Sequence, residues 1–299
     1  MQTTVVITTK NRKRELASAV RSALEQTANP EVLVIDDGST DGTAELIRAE
    51  FPGARLERSD PSLGYIVQRN RAAQIATGQI IFSIDDDAAF SSPRVVAQTL
   101  AEFDHPRVGA VAIPFINVNQ DNVLHQRAAS EDGLWCTYSY IGTAHAVRRD
   151  VFVQLGGYRE FLFHQGEEHD YCVRMLNAGY IVRQGRADPI HHYESPRRDF
   201  RRMDLFGRRN DVLFAWYNVP WPYFPTHLIG TTALGLRFGY RVGRPWRMAA
   251  GLARGYAAIF HELHERKPVS RQIYRLSRHL KRNPMELAQF EEMLAVISE

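Results

Sequence analysis

The chain has 299 residues, 44% of them hydrophobic and 24% charged, so it can bury a full core as one large domain or two modest ones. Cys136 and Cys172 are its two cysteines, and without CxxC spacing they exclude a disulfide framework and a thiolate zinc site and favour a reducing cytoplasm. The net charge of +3 is unevenly distributed, because residues 197–282 hold 18 Lys and Arg against five Asp and Glu.

The N-terminus and the longest apolar stretches bear on membrane insertion. The first residues, MQTTVVITT, lack the charged start and the long apolar core of a signal peptide. Arg237, Arg241 and Arg254 interrupt the most apolar stretches, so none reaches the roughly 18 uncharged residues that indicate a spanning helix. These patterns predict a cytoplasmic protein without a membrane-spanning helix.

The first hundred residues alternate short β-rich runs with helical patterns. Runs of β-branched residues between turn residues predict strands, and apolar residues that recur every three or four positions predict helices. This order is typical of an α/β protein whose mostly parallel central sheet is flanked by helices. The predicted strands are 3–9, 31–35, 54–57 and 80–84, and the predicted helices are 14–26, a helix capped by 39–41 that ends near 50, and 65–76.

After residue 100 the pattern is less regular, and beyond a hinge-like segment at 219–225, rich in proline and aromatic residues, it becomes helical and basic. We therefore divide the chain into an α/β domain at 1–218 and a basic helical C-terminal extension at 219–299. The predicted elements of this part are strands at 108–113 and 138–147 and helices at 168–178, 227–262, 269–282 and 284–298.

The carboxyl ends of the predicted parallel strands are where ligands bind in such sheets. The residues there are 8–12, 36–39 and 85–87. Neither GxGxxG nor GxxxxGK[ST] follows the first strand, which argues against a dinucleotide site of the Rossmann type and against a P-loop. The predicted site is built from acids instead of glycines.

Asp85, Asp86 and Asp87 come directly after the apolar run 79–84. Three adjacent carboxylates repel one another, and a divalent cation that also holds a phosphate relieves this repulsion. The alternative is a solvated acidic turn that caps the next helix, which is predicted to open near 91–93.

Asp36 and Asp37 follow the second predicted strand, where they could accept hydrogen bonds from a base N–H and a ribose hydroxyl. The alternative is an Asx-type turn, because Asp-Asp-Gly-Ser is ordinary turn chemistry. Arg69, on the helix before the fourth strand, could reach a phosphate or a base, although exposed helix arginines commonly do nothing specific.

Four segments follow one another along the first ninety residues: ITTKNR at 7–12, VIDDGSTDGT at 34–43, GYIVQRNRAA at 64–73 and IDDD at 84–87. In this order they resemble the motifs of family-2 glycosyltransferases with the GT-A fold. GTAHAVRRDVF at 142–152 is similar to the acceptor-side segment of that family, and GEEHDYCVRMLNAGY at 166–180 to its catalytic-base helix. The resemblance covers about 3–215 and implies a nucleotide-sugar-binding half at 1–100 and an acceptor-binding half at 101–218.

The resemblance implies roles for single residues. Thr9, Asp37 and Arg69 stand where the family contacts the nucleotide, with Asp36 close by. Asp85 and Asp87 stand at the ends of the DxD motif, in which the last carboxylate binds Mg2+ or Mn2+ and the first lies near the ribose.

Two further positions complete the implied donor and metal site. Asp86 is an extra acid where many members of the family have a neutral residue. The resemblance therefore does not decide which two of the three aspartates contact the metal and the ribose, and Asp86 is a candidate for donor binding. His191-His192 precedes Ser195 and resembles a His-x-x-Ser element whose histidine completes the metal shell in some members. His192 fits that spacing better than His191, whereas a surface pair of histidines is the alternative.

The catalytic base of the family is the second residue of a Glu-Asp pair, and this position is Glu168 here. Glutamate keeps the carboxylate that must take the proton of an attacking hydroxyl, but lengthens the arm by one methylene. Glu167 and Asp170 therefore remain alternatives for the base. Without the other motifs, an acidic first helical turn favoured by the helix dipole would explain these acids.

The basic C-terminal helices have two interpretations. Arginines beside Trp246, Phe238, Tyr240 and Tyr256 suit the surface of an anionic membrane and a lipid-linked acceptor. Alternatively, the helices form a solvated extension that packs on the core or on a second subunit of a homodimer. No nucleic-acid-binding module is recognisable, so no nucleic acid is expected as a partner.

Together these features predict a cytoplasmic, metal-dependent, inverting glycosyltransferase, peripheral at the inner face of the membrane, that uses Mg2+ or Mn2+. The family-level expectation is a UDP- or dTDP-sugar donor and a glycan or lipid-linked acceptor for surface polysaccharide or lipid-linked glycan synthesis. The alternatives are a sugar-phosphate nucleotidyltransferase, which normally carries a glycine-rich loop after its first strand, and a non-catalytic homologue that binds sugar or membrane.

Overall fold

The computed structural model of the protein describes residues 1–194, 199–261 and 266–298. Up to residue 85, strands and helices alternate as the sequence predicts. A short strand at Ala88–Phe90 was not predicted, and the helix expected to open near 91–93 begins at Val95. The elements are β1 (Thr3–Thr9), α1 (Lys13–Leu24), β2 (Glu31–Asp36), α2 (Thr43–Glu50), β3 (Ala54–Arg58), α3 (Tyr65–Ile75), β4 (Ile80–Asp85), β5 (Ala88–Phe90) and α4 (Val95–Ala101).

The middle of the chain contains more strands and helices than the sequence predicts, and one predicted strand is shorter. The strand expected at 138–147 begins only at Ala144, because the residues before it bend away to line a cavity described below. Helix α7 was not predicted. The elements are β6 (Val108–Ala112), β7 (Phe115–Asn117), β8 (Leu124–His125), β9 (Trp135–Thr137), β10 (Ala144–Arg148), α5 (Arg149–Gln154), a 3-10 turn (Glu160–Leu162), α6 (Glu167–Asn177), β11 (Ile181–Gln184), β12 (Ile190–His192) and α7 (Phe200–Asn218).

The C-terminal part is mainly helical, as predicted. The helical region expected at 227–262 is divided by a turn at Gly243, whose φ of +70° favours glycine. Among the described residues, no helix is both long and apolar enough to cross a membrane. The elements are α8 (Tyr223–Arg241), α9 (Pro245–His261), α10 (Arg271–Leu280), β13 (Met285–Glu286) and α11 (Leu287–Ser298).

A central sheet organises the molecule, and within the described residues it has nine strands in the order β13-β9-β11-β6-β10-β4-β1-β2-β3. Strands β4, β1, β2 and β3 pair in parallel, whereas β10 runs antiparallel between β4 and β6. A smaller sheet has the order β5-β12-β7-β8. The parallel half therefore directs the carboxyl ends of four strands to one edge.

Helices cover both faces of the central sheet. Successive residues of β1 alternate between the two apolar layers, with Val5 and Ile7 in one and Val6 in the other. Ile273 of α10 and Phe290 of α11 belong to the same layer as Val5, so residues beyond 218 contribute to the core of the α/β part. The division of the chain at residue 218 stays a prediction.

Helix α9 packs closely on α7 through glycines. A Cβ atom at Gly251 would lie 2.7 Å from the carbonyl oxygen of Leu205, and one at Gly255 would lie 2.7 Å from Cβ of Val212. Real Cβ atoms do not approach other atoms so closely, so any larger residue would push the two helices apart. This packing holds the α8–α9 pair on α7.

Candidate active site

Strands β1, β2 and β4 end side by side at one edge of the central sheet. The register pairs Thr8 with Asp85 and Thr9 with Asp36. The residues that follow surround a cavity of about 830 Å3. Residues of β7, β12, α6 and α7 complete its wall. The cavity therefore lies outside the carboxyl ends of the parallel strands, where the sequence predicts the site.

Arg12 neutralises two of the three aspartates. Its Nη1 atom lies 2.8 Å from Oδ1 of Asp86 and 2.7 Å from Oδ2 of Asp87. Thr9 donates its hydroxyl to the other oxygen of Asp86 at 2.7 Å. Thr9 and Asp86, both predicted as donor-binding residues, thus lie together in the cavity wall and are joined to each other.

The two aspartates that Arg12 joins have opposite pKa shifts. Burial raises the pKa of Asp86 to about 6, although Arg12 and Thr9 partly oppose it. Burial would also raise the pKa of Asp87, but the hydrogen bond from His192 and the charge of Arg12 lower it to about 2. Asp87 is therefore the more strongly anionic of the two.

Arg69 connects the acidic triplet with α6. Its Nη2 atom donates to Oδ1 of Asp85 at 2.7 Å, and its Nη1 atom lies 3.6 Å from Oε1 of Glu167 and 3.9 Å from Oε1 of Glu168. The guanidinium also lies over the ring of Tyr65. A single buried cation therefore lies between the aspartates at the strand ends and the glutamates of α6.

Asp85, Asp87 and His192 form a group in which one donor atom from each lies within 4.8 Å of the others. His192 arrives there because β12 pairs in parallel with β7 and places it opposite Asn117. Its Nδ1 atom contacts Oδ1 of Asn117 at 2.8 Å, and its Nε2 atom lies 3.3 Å from Oδ1 of Asp87. Two carboxylates and an imidazole form a donor set suited to Mn2+ or a similar divalent ion.

The two acids after β2 have different positions. Asp37 lines the cavity, but its carboxylate accepts four hydrogen bonds, from Ser62, Leu63, Gly64 and Gln68. Burial would raise its pKa, and these donors lower it. Its acceptor positions serve the loop before α3 and Gln68 of α3, so its contact with a nucleotide stays a prediction that requires exchange of one of these bonds.

Asp36 is fully buried and does not line the cavity. Its Oδ1 atom accepts from the backbone N–H of Ser39 at 2.9 Å, and its Oδ2 atom lies 3.7 Å from Nε of Arg58. This is the Asx-type turn given above as the alternative. The structure gives no geometric support for a contact between Asp36 and the nucleotide.

Glu167 and Glu168 open helix α6, and both line the cavity. Glu167 is buried, whereas the side chain of Glu168 is 20% exposed. Burial raises the pKa of both carboxyls, and the charge of Glu167 raises that of Glu168 further, while Arg69 acts in the opposite direction. Glu168 is therefore an accessible carboxylate with an increased affinity for a proton.

The remaining candidates for base and metal ligand lie elsewhere. Asp170 forms ion pairs with Arg159 and Arg174 and accepts from Nδ2 of Asn218 at 2.7 Å, outside the cavity wall. His191 does not line the cavity either, since alternate residues of β12 face opposite sides. Ser195 lies outside the described residues.

Sequence reasoning assigned no role to Arg12, Asn117 or Tyr65. The sequence could have predicted a role for Arg12, because it follows the first predicted strand at the same sheet edge as the aspartates. No sequence feature could have predicted the role of Asn117, since only the pairing of β7 with β12 brings it to His192. Tyr65 accepts from the backbone N–H of Gln165 at 2.8 Å and so ties α3 to the start of α6.

Comparison with known sequences places this site in a family. The sequence model of glycosyl transferase family 2 matches residues 4–163, which include Arg69 and the three aspartates but neither Glu168 nor His192. The succinoglycan biosynthesis protein ExoU of Rhizobium meliloti is 34% identical over 126 residues, 41% of this chain and 36% of that protein. The chain thus matches about a third of the length of this relative.

Solved structures share the fold at low sequence identity. The mannosyltransferase PcManGT from Pyrobaculum calidifontis, in complex with GDP-Man and Mn2+, has a TM-score of 0.59 and 20% identity, over 99% of this chain and 86% of that one. S. aureus TarS 1–349 in complex with UDP-GlcNAc has a TM-score of 0.63 and 15% identity, over 99% and 90%. The chain has the GT-A fold with a helical C-terminal region, and because the family match spans more than half of it, the chain belongs to glycosyl transferase family 2.

Proposed function

We propose that this protein transfers a sugar from a nucleoside-diphosphate sugar to a hydroxyl acceptor, with inversion at the anomeric carbon. One observation supports this most directly: the donor set of Asp85, Asp87 and His192 and the accessible carboxylate of Glu168 line one cavity, with Arg69 between them. A nucleotide sugar bound by its diphosphate at the donor set would present its sugar toward Glu168.

A divalent cation suits the residues at the strand ends. Nδ1 of His192 is held on Asn117 and Nε2 faces Asp87, so a cation would take the place of the proton that Nε2 donates to Asp87. Asp85, Asp87 and His192 would hold Mg2+ or Mn2+, and Thr9, Arg69 and Asp86 lie beside them in the cavity wall. The cation, when bound, supplies positive charge that stabilises the departing nucleoside diphosphate.

The chain's own groups perform the other parts of the reaction. Glu168 takes the proton of the acceptor hydroxyl, whose oxygen forms a bond to the anomeric carbon as the bond from that carbon to the diphosphate oxygen breaks. The bonding electrons leave with the nucleoside diphosphate, and the proton stays on Glu168 until solvent removes it. A single displacement of this kind inverts the anomeric centre and requires no covalent intermediate.

A second cavity provides a place for the acceptor. It has a volume of about 390 Å3 and shares Glu168 and Ile141 with the larger cavity. Its wall includes Tyr138, Gln126 and Lys281, which offer an aromatic face, an amide and a cation. Such side chains suit a polar glycan. A hydroxyl at the junction of the two cavities would lie beside Glu168.

The acceptor class follows by analogy. Because one relative is a succinoglycan biosynthesis protein, we assign this chain to the synthesis of a surface polysaccharide or a lipid-linked glycan in the cytoplasm. The UDP- or dTDP-sugar expected from the sequence remains our first choice of donor.

The test is a thermal-shift screen of the purified protein against UDP-, dTDP- and GDP-sugars, with Mn2+ or with EDTA. A ligand that binds only the folded state stabilises it by about 2.7 kcal/mol at a hundredfold excess over its Kd. We expect one nucleotide class to raise the Tm with Mn2+ and to lose this effect in EDTA. The absence of any shift in folded protein would favour the non-catalytic alternative.

A further inference from the structure

Helices α8 and α9 form an antiparallel hairpin with an apolar outer face. Tyr240 is 83% exposed and Trp246 is 85% exposed, on either side of the turn that joins the helices. Ile229, Leu236 and Tyr240 of α8 recur at spacings of seven and four, and Trp246, Ala253 and Phe260 of α9 at spacings of seven, which places each set on one side of its helix. Leu234 is also exposed but lies on another side of α8. We define the outer face by Ile229, Leu236 and Tyr240 on α8 and Trp246, Ala253 and Phe260 on α9.

The opposite sides of the hairpin are already packed. Gly251 and Gly255 of α9 lie against α7, as described above, and Thr232 of α8 exchanges a hydrogen bond with Tyr256 of α9 at 2.6 Å. The hairpin is therefore held in place by its inner contacts. Its outer face is a preformed apolar surface without a partner among the described residues.

The charge of the hairpin is of one sign. Residues 223–261 contain five arginines and neither aspartate nor glutamate. Arg237, Arg241, Arg247 and Arg254 are exposed on the same two helices as the apolar residues. Aromatic and aliphatic side chains flanked by arginines are the pattern of helices that lie in the interface of an anionic bilayer.

A second copy of the chain fits this surface less well. In a twofold-symmetric contact the same patch meets itself, so the arginines of one copy would face those of the other. Like charges close together are unfavourable, and the hairpin supplies no acid to compensate them. An anionic lipid surface, by contrast, complements both the apolar and the basic residues.

We propose that the outer face of the α8–α9 hairpin binds in the plane of an anionic lipid bilayer. The hairpin does not span it: neither helix is long and apolar enough to do so. Instead, Tyr240 and Trp246 insert at the level of the headgroups and the arginines contact lipid phosphates.

The position of the hairpin connects this surface with the cavity. Arg244, in the turn of the hairpin, lies 3.1 Å from Asp204 of α7 and stacks on Phe200. The neighbouring Arg202 and Met203 of α7 line the larger cavity. If the proposed function holds, the α7 wall of the cavity is thereby kept near the membrane, where a lipid-linked acceptor would be presented.

The experiment is flotation of the purified full-length protein with vesicles of phosphatidylcholine, with or without phosphatidylglycerol, at low and at raised salt. We expect binding only to the anionic vesicles, weakened by salt. Two double variants should each reduce partitioning into anionic vesicles by about tenfold or more. One combines Trp246→Ser with Tyr240→Ser, and the other combines Arg241→Glu with Arg247→Glu. Val123→Ser and Arg275→Glu, exposed changes outside the hairpin, are the matched controls and should bind normally.

Three results would overturn the proposal. The first is failure of the folded wild-type protein to bind anionic vesicles, and the second is equal binding by the hairpin variants and the controls. The third is a dimer, detected by light scattering, that dissociates when Trp246→Ser and Tyr240→Ser are combined. Far-UV circular dichroism and the Tm show whether each variant is folded. Because flotation needs neither donor nor metal, its outcome is independent of the nucleotide screen.

Discussion

The Nε2 atom of His192 lies 3.3 Å from Oδ1 of Asp87, while Nδ1 of the same ring contacts Asn117. With Nδ1 as hydrogen-bond donor to Asn117, a cation that replaces the proton between Nε2 and the carboxylate can be bound by both atoms. We expect Asn117→Ala to weaken Mn2+ binding by about 10- to 100-fold, because the ring loses its orienting partner. Calorimetric titration of Mn2+ with UDP present measures this. His191→Ala is the control, and an unchanged affinity in Asn117→Ala would contradict the assignment.

Glu168→Gln separates donor binding from transfer. Glutamine cannot accept the proton, so we expect the transfer rate to fall by about 10²- to 10⁴-fold while the Mn2+-dependent thermal shift with the nucleotide is retained. Glu168→Asp, which restores the carboxylate usual in the family, should recover part of the rate. Full transfer by Glu168→Gln would exclude this residue as the base.

The pH dependence of transfer reports on the pair Glu167 and Glu168. Burial and the charge of Glu167 raise the pKa of Glu168 above its ordinary 4.5. Because the base must be unprotonated, the rate should rise as the pH passes upward through this raised pKa. Glu167→Gln removes the neighbouring negative charge, so the acidic limb of the kcat profile should move to lower pH. Movement to higher pH would contradict the proposed coupling.

Gly142→Ala tests the space between the two halves of the site. A Cβ atom there would lie 2.5 Å from Oε1 of Glu168 and 2.9 Å from Nη1 of Arg69. Both side chains must shift, so we expect a loss of kcat, since small displacements of reacting groups are costly. The Tm should change little, because side-chain ends move more easily than backbone. Gly156→Ala, with nothing within 4 Å of the added Cβ, is the control for a change of glycine, although its φ of +78° costs some stability.

Asp170→Ala distinguishes a structural acid from a catalytic one. Asp170 is buried and paired with Arg159 and Arg174, so its removal leaves two partly buried cations without their shared anion. We expect the free energy of unfolding to fall by about 3–5 kcal/mol, measured by urea denaturation. A fully stable Asp170→Ala protein that has lost transfer activity would instead support Asp170 as the base.

Local patterns were sufficient for the four parallel strands and the helices between them. Elements β1 to β4 are short and separated by clear turn residues, and Asp85–Asp87 are recognisable because charge follows an apolar strand directly. The residues at 138–143 have strand propensity, yet they line the two cavities, and Gly142 leaves room for Arg69 and Glu168. Tertiary packing overrides propensity at such a place.

The unpredicted parts depend on distant residues. Helix α7 contains Gly207 and a run of β-prone aromatics near its end, and it is stabilised by packing against α9 rather than by its own propensity. The contact of His192 with Asn117 depends on the register of two three-residue strands. Asp36 and Asp37 could not be assigned from the sequence for a different reason. The same residues, Asp-Asp-Gly-Ser, are typical both of an Asx-type turn and of a nucleotide-binding motif.

Strand β13 can cover the edge of the central sheet only late in folding during synthesis. Met285 pairs with Cys136, so β13 covers the outer edge of β9. During synthesis this edge stays open until residues 285–286 have left the ribosome. An open strand edge is a template for wrong pairing with other chains. Residues 285–286 therefore cover this edge of β9, and a polypeptide shortened before residue 285 would be prone to self-association.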